Sequence, residues 1–423
     1  ARLDGFDSLD DFNNEQLQDL LATILKYHVV SGAAVSSSAL TEGQSITTLQ
    51  GENLTVSITN GVTFTDAAGE IATVTTADVE TENGIVHIIN KVLIPQEALD
   101  ALSDVLLTSI TDLAISVPSL SILVDALVAA DGDLPTVLAS GGPFTVFAPT
   151  NDAFEAFLVA NNFNSLDEIP TEILTQVLLN HVVAGTNLST DLSTGYVSSL
   201  STAGPNDANL SMFINIEDGV VLNGTSTVTA ADNKAINGVV HIVDAVIGLP
   251  NIVDHAVANP NLTSLVGALT ANNNTTFTTL LSDLETDFTV FAPLNSAFDN
   301  FTNPSDNELN SILANHVISG AAANAASLSN TYFNTAATNA DGDNLSIYVN
   351  VDDGVKLNGV SSVAAADIVA TNGIIHAVDT VIDLPSVVTF ATADPNFSSL
   401  VGALTAEGQP DFVSVLSTPN GTA

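Results

Sequence analysis

Three signatures recur along this chain at fixed intervals, and recurrence on that scale decides architecture before any local pattern does. "KYHVVSG" at Lys26, "NHVVAG" at Asn180 and "NHVISG" at Asn315 form one series. "ENGIVHIINKVLIP", "INGVVHIVDAVIGLP" and "TNGIIHAVDTVIDLP", ending at Pro95, Pro250 and Pro385, form a second. "VPSLSILVDAL", "NPNLTSLVGAL" and "DPNFSSLVGAL", anchored on Pro118, Pro260 and Pro395, form a third. His28 and His87 stand 59 residues apart, His181 and His241 60, and His316 and His376 60. His241 and His376 are 135 residues apart. One unit is therefore a domain, far longer than the roughly 20 to 50 residues of a solenoid repeat.

A fourth stretch, "FTVFAPTNDAF" at Phe144, returns as "FTVFAPLNSAF" at Phe288 and occurs only twice. In order, a unit reads proline opener, F-T-V-F-A-P strand, N-H-V-V segment, hairpin region, N-G-V-V-H-I-V-D strand and closing proline. On this frame residues 1–97 are a unit without its first part, 98–113 a helical linker, 114–250 and 251–385 complete domains, and 386–423 the opening of a further unit. Joined end to end, the first and last pieces would make nearly one domain, short of about one strand and its following turn. Two expectations follow. Either the chain is a segment of a longer repetitive protein, or a split domain is completed by a neighbouring copy through strand exchange.

Each unit reads as α+β. Leu17, Leu20, Leu21, Ile24 and Leu25 follow the spacing of a helix with one apolar face, and Ile173, Leu174, Val177 and Leu178 repeat it, so a helix precedes each H-V-V segment. Openers such as "NPNLTSLVGAL" also read as helix. "NLSMFINIEDGVVLNG" and "NLSIYVNVDDGVKLNG" alternate apolar and polar residues about Asp218-Gly219 and Asp353-Gly354, and Asn60-Gly61 takes that hairpin place in the first unit. Asn83-Gly84, Asn237-Gly238 and Asn372-Gly373 read as turns into the closing strand. The short proline-bounded joints, Pro250 to Pro260 and Pro385 to Pro395, predict limited rotation between domains.

Composition narrows the function. The 423 residues include no cysteine, which excludes disulfides, thiolate metal sites and thiol catalysis. Against 48 Asp plus Glu stand five Lys plus Arg, a formal charge of −43. Such a surface repels nucleic acid and anionic membranes, because every phosphate contact needs a cation. Salt makes the self-repulsion tolerable, since the Debye length is about 8 Å at physiological ionic strength. The acidic coat suits saline surroundings or divalent cations. No apolar run reaches the roughly eighteen residues of a bilayer span, so no direct membrane insertion is expected of this segment.

Taken together, the linked motifs resemble the fasciclin-like adhesion domain family. The F-T-V-F-A-P-T-N-D-A-F pattern stands at 144–154 and 288–298, and the N-G-V-V-H closing pattern at 83–95, 237–250 and 372–385. The resemblance covers nearly all of the chain. It implies tandem seven-stranded, wedge-shaped β sandwiches flanked by helices, in secreted or surface-anchored extracellular proteins that mediate adhesion. The Tyr-His pair tied to adhesion in some animal members is matched only by Tyr27-His28, and no Arg-Gly-Asp is present.

The histidines carry the most visible chemistry. His28, His181 and His316 follow helices, and His87, His241 and His376 lie within apolar strands, which favours structural core imidazoles satisfied by backbone. The seventh, His255, reads as an ordinary helix residue. No H-E-x-x-H, cysteine pair or G-x-S-x-G elbow is present, and His241 and Asp244, or His376 and Asp379, stand three apart on a strand and so point to opposite faces. An enzyme is not expected. Calcium is the one cofactor the sequence leaves room for, at Asp131 and Asp133 and at Asn339, Asp341 and Asp343, which cluster oxygen ligands about a glycine. The reading is an extracellular structural or adhesive protein whose partners are other copies of itself or cell-surface and matrix components. The alternatives are a head-to-tail filament of completed split domains and a glycan- or lipid-binding module.

Overall fold

The computed structural model describes residue 12 and residues 15–105, 107–271, 275–303 and 307–417. The chain divides into two compact units, Ala1–Thr108 and Ser109–Ala423. The first begins with α1 (Glu15–Tyr27), which turns Leu17, Leu20 and Ile24 inward and carries Glu15 at its start and Lys26 at its end, in keeping with the helix dipole. β1 (Ser45–Thr47), β2 (Asn53–Ser57), β3 (Thr63–Thr65), β4 (Ile71–Thr81) and β5 (Gly84–Ile89) form an antiparallel sheet in that order. α2 (Gln96–Val105) packs back on α1, with Ala98 fully buried among Phe12, Leu17, Leu20, Ile24 and Ile94.

The expected spacer helix over 98–113 is therefore corrected. α2 belongs to the core of the first unit, and a separate helix, α3 (Ile110–Ser116), opens the next domain. The physical reason is a cap. Ser109 accepts the N–H of Asp112 through its hydroxyl, and the N–H of Ile110 is taken by the side chain of Asn237, 127 residues later.

The second unit holds two domains of one topology. α3, α4 (Ser121–Ala129) and α5 (Leu134–Ser140) precede β6 (Phe144–Pro149), which is followed by α6 (Asn151–Ala160) and α7 (Thr171–Asn180). β7 (Val182–Ala184), β8 (Gly195–Ser198), β9 (Ser211–Asn215), β10 (Val221–Leu222), β11 (Ser226–Ala235) and β12 (Gly238–Val243) complete a seven-stranded array in the order β7-β6-β12-β11-β10-β9-β8. β6 and β12 run parallel, and the other pairs are antiparallel. The plan repeats in α8 (Ile252–Ala258), α9 (Thr263–Leu269), α10 (Thr276–Leu281), β13 (Phe288–Pro293), α11 (Asn295–Asp299), α12 (Leu309–Ala314), β14 (Val317–Ser319), β15 (Thr331–Thr338), β16 (Asn344–Asn350), β17 (Lys356–Leu357), β18 (Ser361–Ala370) and β19 (Gly373–Val378). Its strand order is β14-β13-β19-β18-β17-β16-β15. α13 (Val387–Ala393), α14 (Ser398–Leu404) and α15 (Phe412–Ser417) follow.

Strand alternation gives each complete domain two cores. One face of β6 and β12 sends Val146, Ala148 and Val240 against the helices, among Leu123, Leu127, Leu138 and Leu178. The other face sends Phe147 and Val243 to meet Met212, Ile214 and Leu222 from the far half of the array. β11 serves both halves because two register shifts bend it, at Val228/Ala230 and Ala230/Asn233. The third domain repeats this with Phe291, Ile347, Val349, Leu357 and Val378.

Candidate functional site

Six histidines form two kinds of clasp. His181 ends α7, donates through Nδ1 to the carbonyl of Val177 at 2.7 Å and accepts the N–H of Ile247 on Nε2 at 2.8 Å. His316 does the same with Ile312 and Ile382, and His28 with Ile24 and Leu93. The ring thereby ties the end of a helix to the segment leaving the closing strand, and only the neutral Nδ1–H tautomer satisfies both bonds. Burial pushes the pKa of His181 and of His316 down to about 4.

The strand histidines use the other tautomer. His241 donates from Nε2 to the carbonyl of Asn187 and accepts the N–H of Asp232 on Nδ1; His376 uses Ala323 and Asp367, and His87 uses Val35 and Asp78. Phe147 stacks on His241 at 5.5 Å and Phe291 on His376 at 5.6 Å. Asp78, Asp232 and Asp367 each sit in the left-handed region at the strand bulge, with φ 58°, 61° and 60°. From there Asp232 accepts the hydroxyl and the N–H of Ser189, which hold its carboxyl below the usual range. Sequence reading missed these aspartates. Their signal was a fixed nine-residue offset before the strand histidine in all three units.

The asparagines read as turn residues do more. Asn372 is fully buried, accepts the N–H of Ile252 at the start of α8, and donates to the carbonyls of Leu281 and Asp283 after α10. Asn237 makes the matching bonds to Ile110, Leu138 and Gly141. One side chain staples the first and third helices of its domain to the closing strand.

A built joint links the complete domains. Tyr196 on β8 lies against Phe213 at 4.9 Å and His255 of α8 at 5.5 Å, and Asn259 donates to its hydroxyl at 3.4 Å. The N–H of Val369 reaches the hydroxyl of Ser211 at 3.0 Å. His255 is therefore no ordinary helix residue: it is fully buried, donates from Nε2 to the carbonyl of Val369, and its pKa falls to about 4 through burial. The joint recurs one domain on. Tyr332 meets Tyr348 at 4.9 Å and Phe390 of α13 at 5.2 Å, and donates to Asp394 at 2.9 Å. In the first unit Ser45 and Thr55 pair across β1 and β2 where those aromatic pairs stand.

The remaining candidates are scattered. Asp131 and Asp133 lie between α4 and α5, and Asn339, Asp341 and Asp343 lie in the β15–β16 turn of another domain. The Asn339 side chain accepts the N–H groups of Asp341 and Asp343, which tightens that turn. Among the described residues no three His, Asp or Glu side chains gather as a metal site. Asp244 and Asp379 accept from Thr227 and Ser362 across the strand. Tyr27 of the Tyr-His pair is fully buried and donates to the carbonyl of Asn53. In the first unit a groove of about 470 Å³ opens between His28, Val29, Val30 and Ala33 on one side and Ile85, His87 and Ile89 on the other. No single described helix is long and apolar enough to cross a membrane.

A family model of the Fasciclin domain matches residues 4–95, 118–250 and 260–385. The chain belongs to the fasciclin domain family. Protein sll1483 of Synechocystis sp. is 37% identical over 139 residues, which cover 33% of this chain and 72% of that protein. The Transforming growth factor-beta-induced protein ig-h3 of Oryctolagus cuniculus is 27% identical over 389 residues, 91% of this chain but only 52% of the relative's length. Periostin of Homo sapiens is 27% identical over 254 residues, 57% of this chain and 28% of its own. A solved FAS1 domain pair from the insect cell adhesion molecule Fasciclin I aligns at a TM-score of 0.37 and 19% identity, covering 64% of this chain and 95% of that one. Within this chain, each complete fasciclin domain carries both histidine clasps and the asparagine staple, all engaged with its own backbone.

Proposed function

We propose that this chain is an extracellular structural and adhesive protein whose tandem fasciclin domains hold it to a cell surface or matrix. The observation that carries the reading is the threefold fasciclin match along one chain. The mechanism is avidity: once one domain engages, its neighbours act at high effective concentration, so weak contacts multiply. The aromatic joint supports this by fixing successive domains before contact, which lowers the ordering cost of binding. A formal charge of −43 sets the conditions, since approach to an anionic cell surface requires salt or bridging divalent cations. Retention under flow of beads coated with the chain, on cell monolayers and matrix-coated glass, tests the reading.

A further inference from the structure

Asparagine followed by glycine can react with itself. The glycine nitrogen has no neighbouring Cβ to shield it, so a turn of the backbone can bring it against the asparagine side-chain carbon. The two complete domains hold four such dipeptides, Asn223-Gly224, Asn237-Gly238, Asn358-Gly359 and Asn372-Gly373, and the fold immobilises each of them. The staples Asn237 and Asn372 have both ends of the side chain bound, and their own carbonyls accept the N–H of Phe144 at 3.1 Å and of Phe288 at 3.0 Å. Asn223 and Asn358 take the N–H of Phe213 and of Tyr348 on the side-chain oxygen and return their own N–H to the carbonyls of the same residues. The glycines are backed as well. A Cβ on Gly224 or Gly359 would lie 3.3 or 3.2 Å from the backbone of Ala258 or Ala393, and one on Gly238 or Gly373 would strike a carbonyl oxygen.

Asn60-Gly61, at the tip of the β2–β3 hairpin, has none of these restraints. Both residues are exposed, the Asn60 side chain makes no hydrogen bond among the described residues, and a Cβ on Gly61 would meet nothing within 4 Å. The same tip in the other domains is Asp218-Gly219 and Asp353-Gly354. All three share one local bridge, Thr59 with Gly61, Glu217 with Gly219 and Asp352 with Gly354, and a left-handed glycine at φ 95°, 93° and 75°. An aspartate therefore fits this turn.

We propose that Asn60 is a self-modification site, converted through Gly61 to aspartyl and isoaspartyl residues in the folded protein. The Gly61 nitrogen attacks Cγ of Asn60, and the new N–Cγ bond closes a succinimide ring. The Cγ–Nδ2 bond breaks, and ammonia leaves with the proton from Gly61. Water then opens the ring. Attack at Cγ restores the ordinary backbone with an aspartate at position 60, and attack at the main-chain carbonyl leaves the chain linked through the side chain. One water is consumed and one negative charge gained, with no change of oxidation state. The first product repeats the Asp-Gly tips of the other domains. The second adds a carbon to the turn that sets Val56 opposite Phe64, both buried in the core of the first unit, and so loosens that pair. The site is independent of the adhesive reading.

Peptide mapping by mass spectrometry of the full chain, sampled over time in warm, mildly alkaline buffer, tests it. Asn60 should lose its amide at least about tenfold faster than Asn223, Asn237, Asn358 and Asn372 in the same sample, a barrier difference of about 1.4 kcal/mol. In urea, where the fold no longer restrains them, the five rates should converge. The isoaspartyl product at position 60 is the signature of the ring, because direct hydrolysis of the side-chain amide gives aspartate alone. Asn60→Asp supplies the reference for the first product and should show no further change. Conversion of Asn60 no faster than that of the other four in the folded chain, or aspartate without isoaspartate, would overturn the site.

Discussion

His181, His255 and His316 are buried bases, and their position in the fold sets a pH dependence of known sign. Unfolded, each takes up a proton near pH 6.5; folded, burial delays this until about pH 4. Between those values the unfolded chain binds more protons, so the stabilisation is fully present above about 6.5 and drains away as pH falls toward 4. Each residue contributes on the order of 3 kcal/mol across that window. Scanning calorimetry in high salt, where carboxylate repulsion is screened, should show the melting temperature of the second unit falling from pH 6.5 to 4. A flat or rising profile would contradict the neutral-clasp assignment. These histidines were legible from the sequence only in part. His181 and His316 announce themselves by recurrence, but the partners of His255, Tyr196 and Val369, lie 59 and 114 residues away, in the preceding domain and in the closing sheet of its own.

The closing strand shows how one element reads differently in two settings. Gly238→Ala drives a Cβ into the backbone of Phe144 and should cost upwards of about 3 kcal/mol in urea unfolding, whereas Gly84→Ala should stay within about 0.5 kcal/mol. Equal costs at both positions would contradict the close approach of the Phe144 backbone to Gly238. The joint is a second element-level device. Tyr196→Ala removes a mostly buried ring from α8 and should cost about 3 kcal/mol, seen as lost hydrogen-exchange protection in α8 with β12 unchanged. The repeats, the helices before each H-V-V segment and the Asp-Gly hairpins were readable because each is set by local periodicity or turn chemistry. The break at Thr108–Ser109 was not, since apolar spacing runs on through it and only the Ser109-x-x-Asp112 cap marks it. The staple role of Asn237 was equally hidden, because the same dipeptide satisfies an ordinary turn.

Viewed whole, the chain places almost all of its specific hydrogen-bonding chemistry inside its domains and leaves an acidic surface outside. Among the described residues the lysine–carboxylate pair of Lys91 and Glu70, at 3.1 Å, is exposed and contributes little. On the adhesive reading proposed above, contacts gain from number and spacing rather than from a single anchored group, and the aromatic contacts between successive domains would serve that spacing. Bead retention under flow tests this most directly, with coating density and divalent cation varied in saline buffer. We expect beads carrying the chain to outlast beads carrying an unrelated acidic protein of similar charge. Their lifetime should rise more steeply than linearly with density, and soluble chain should shorten it. Detachment at the rate of the control beads at every density and salt condition would contradict the adhesive role.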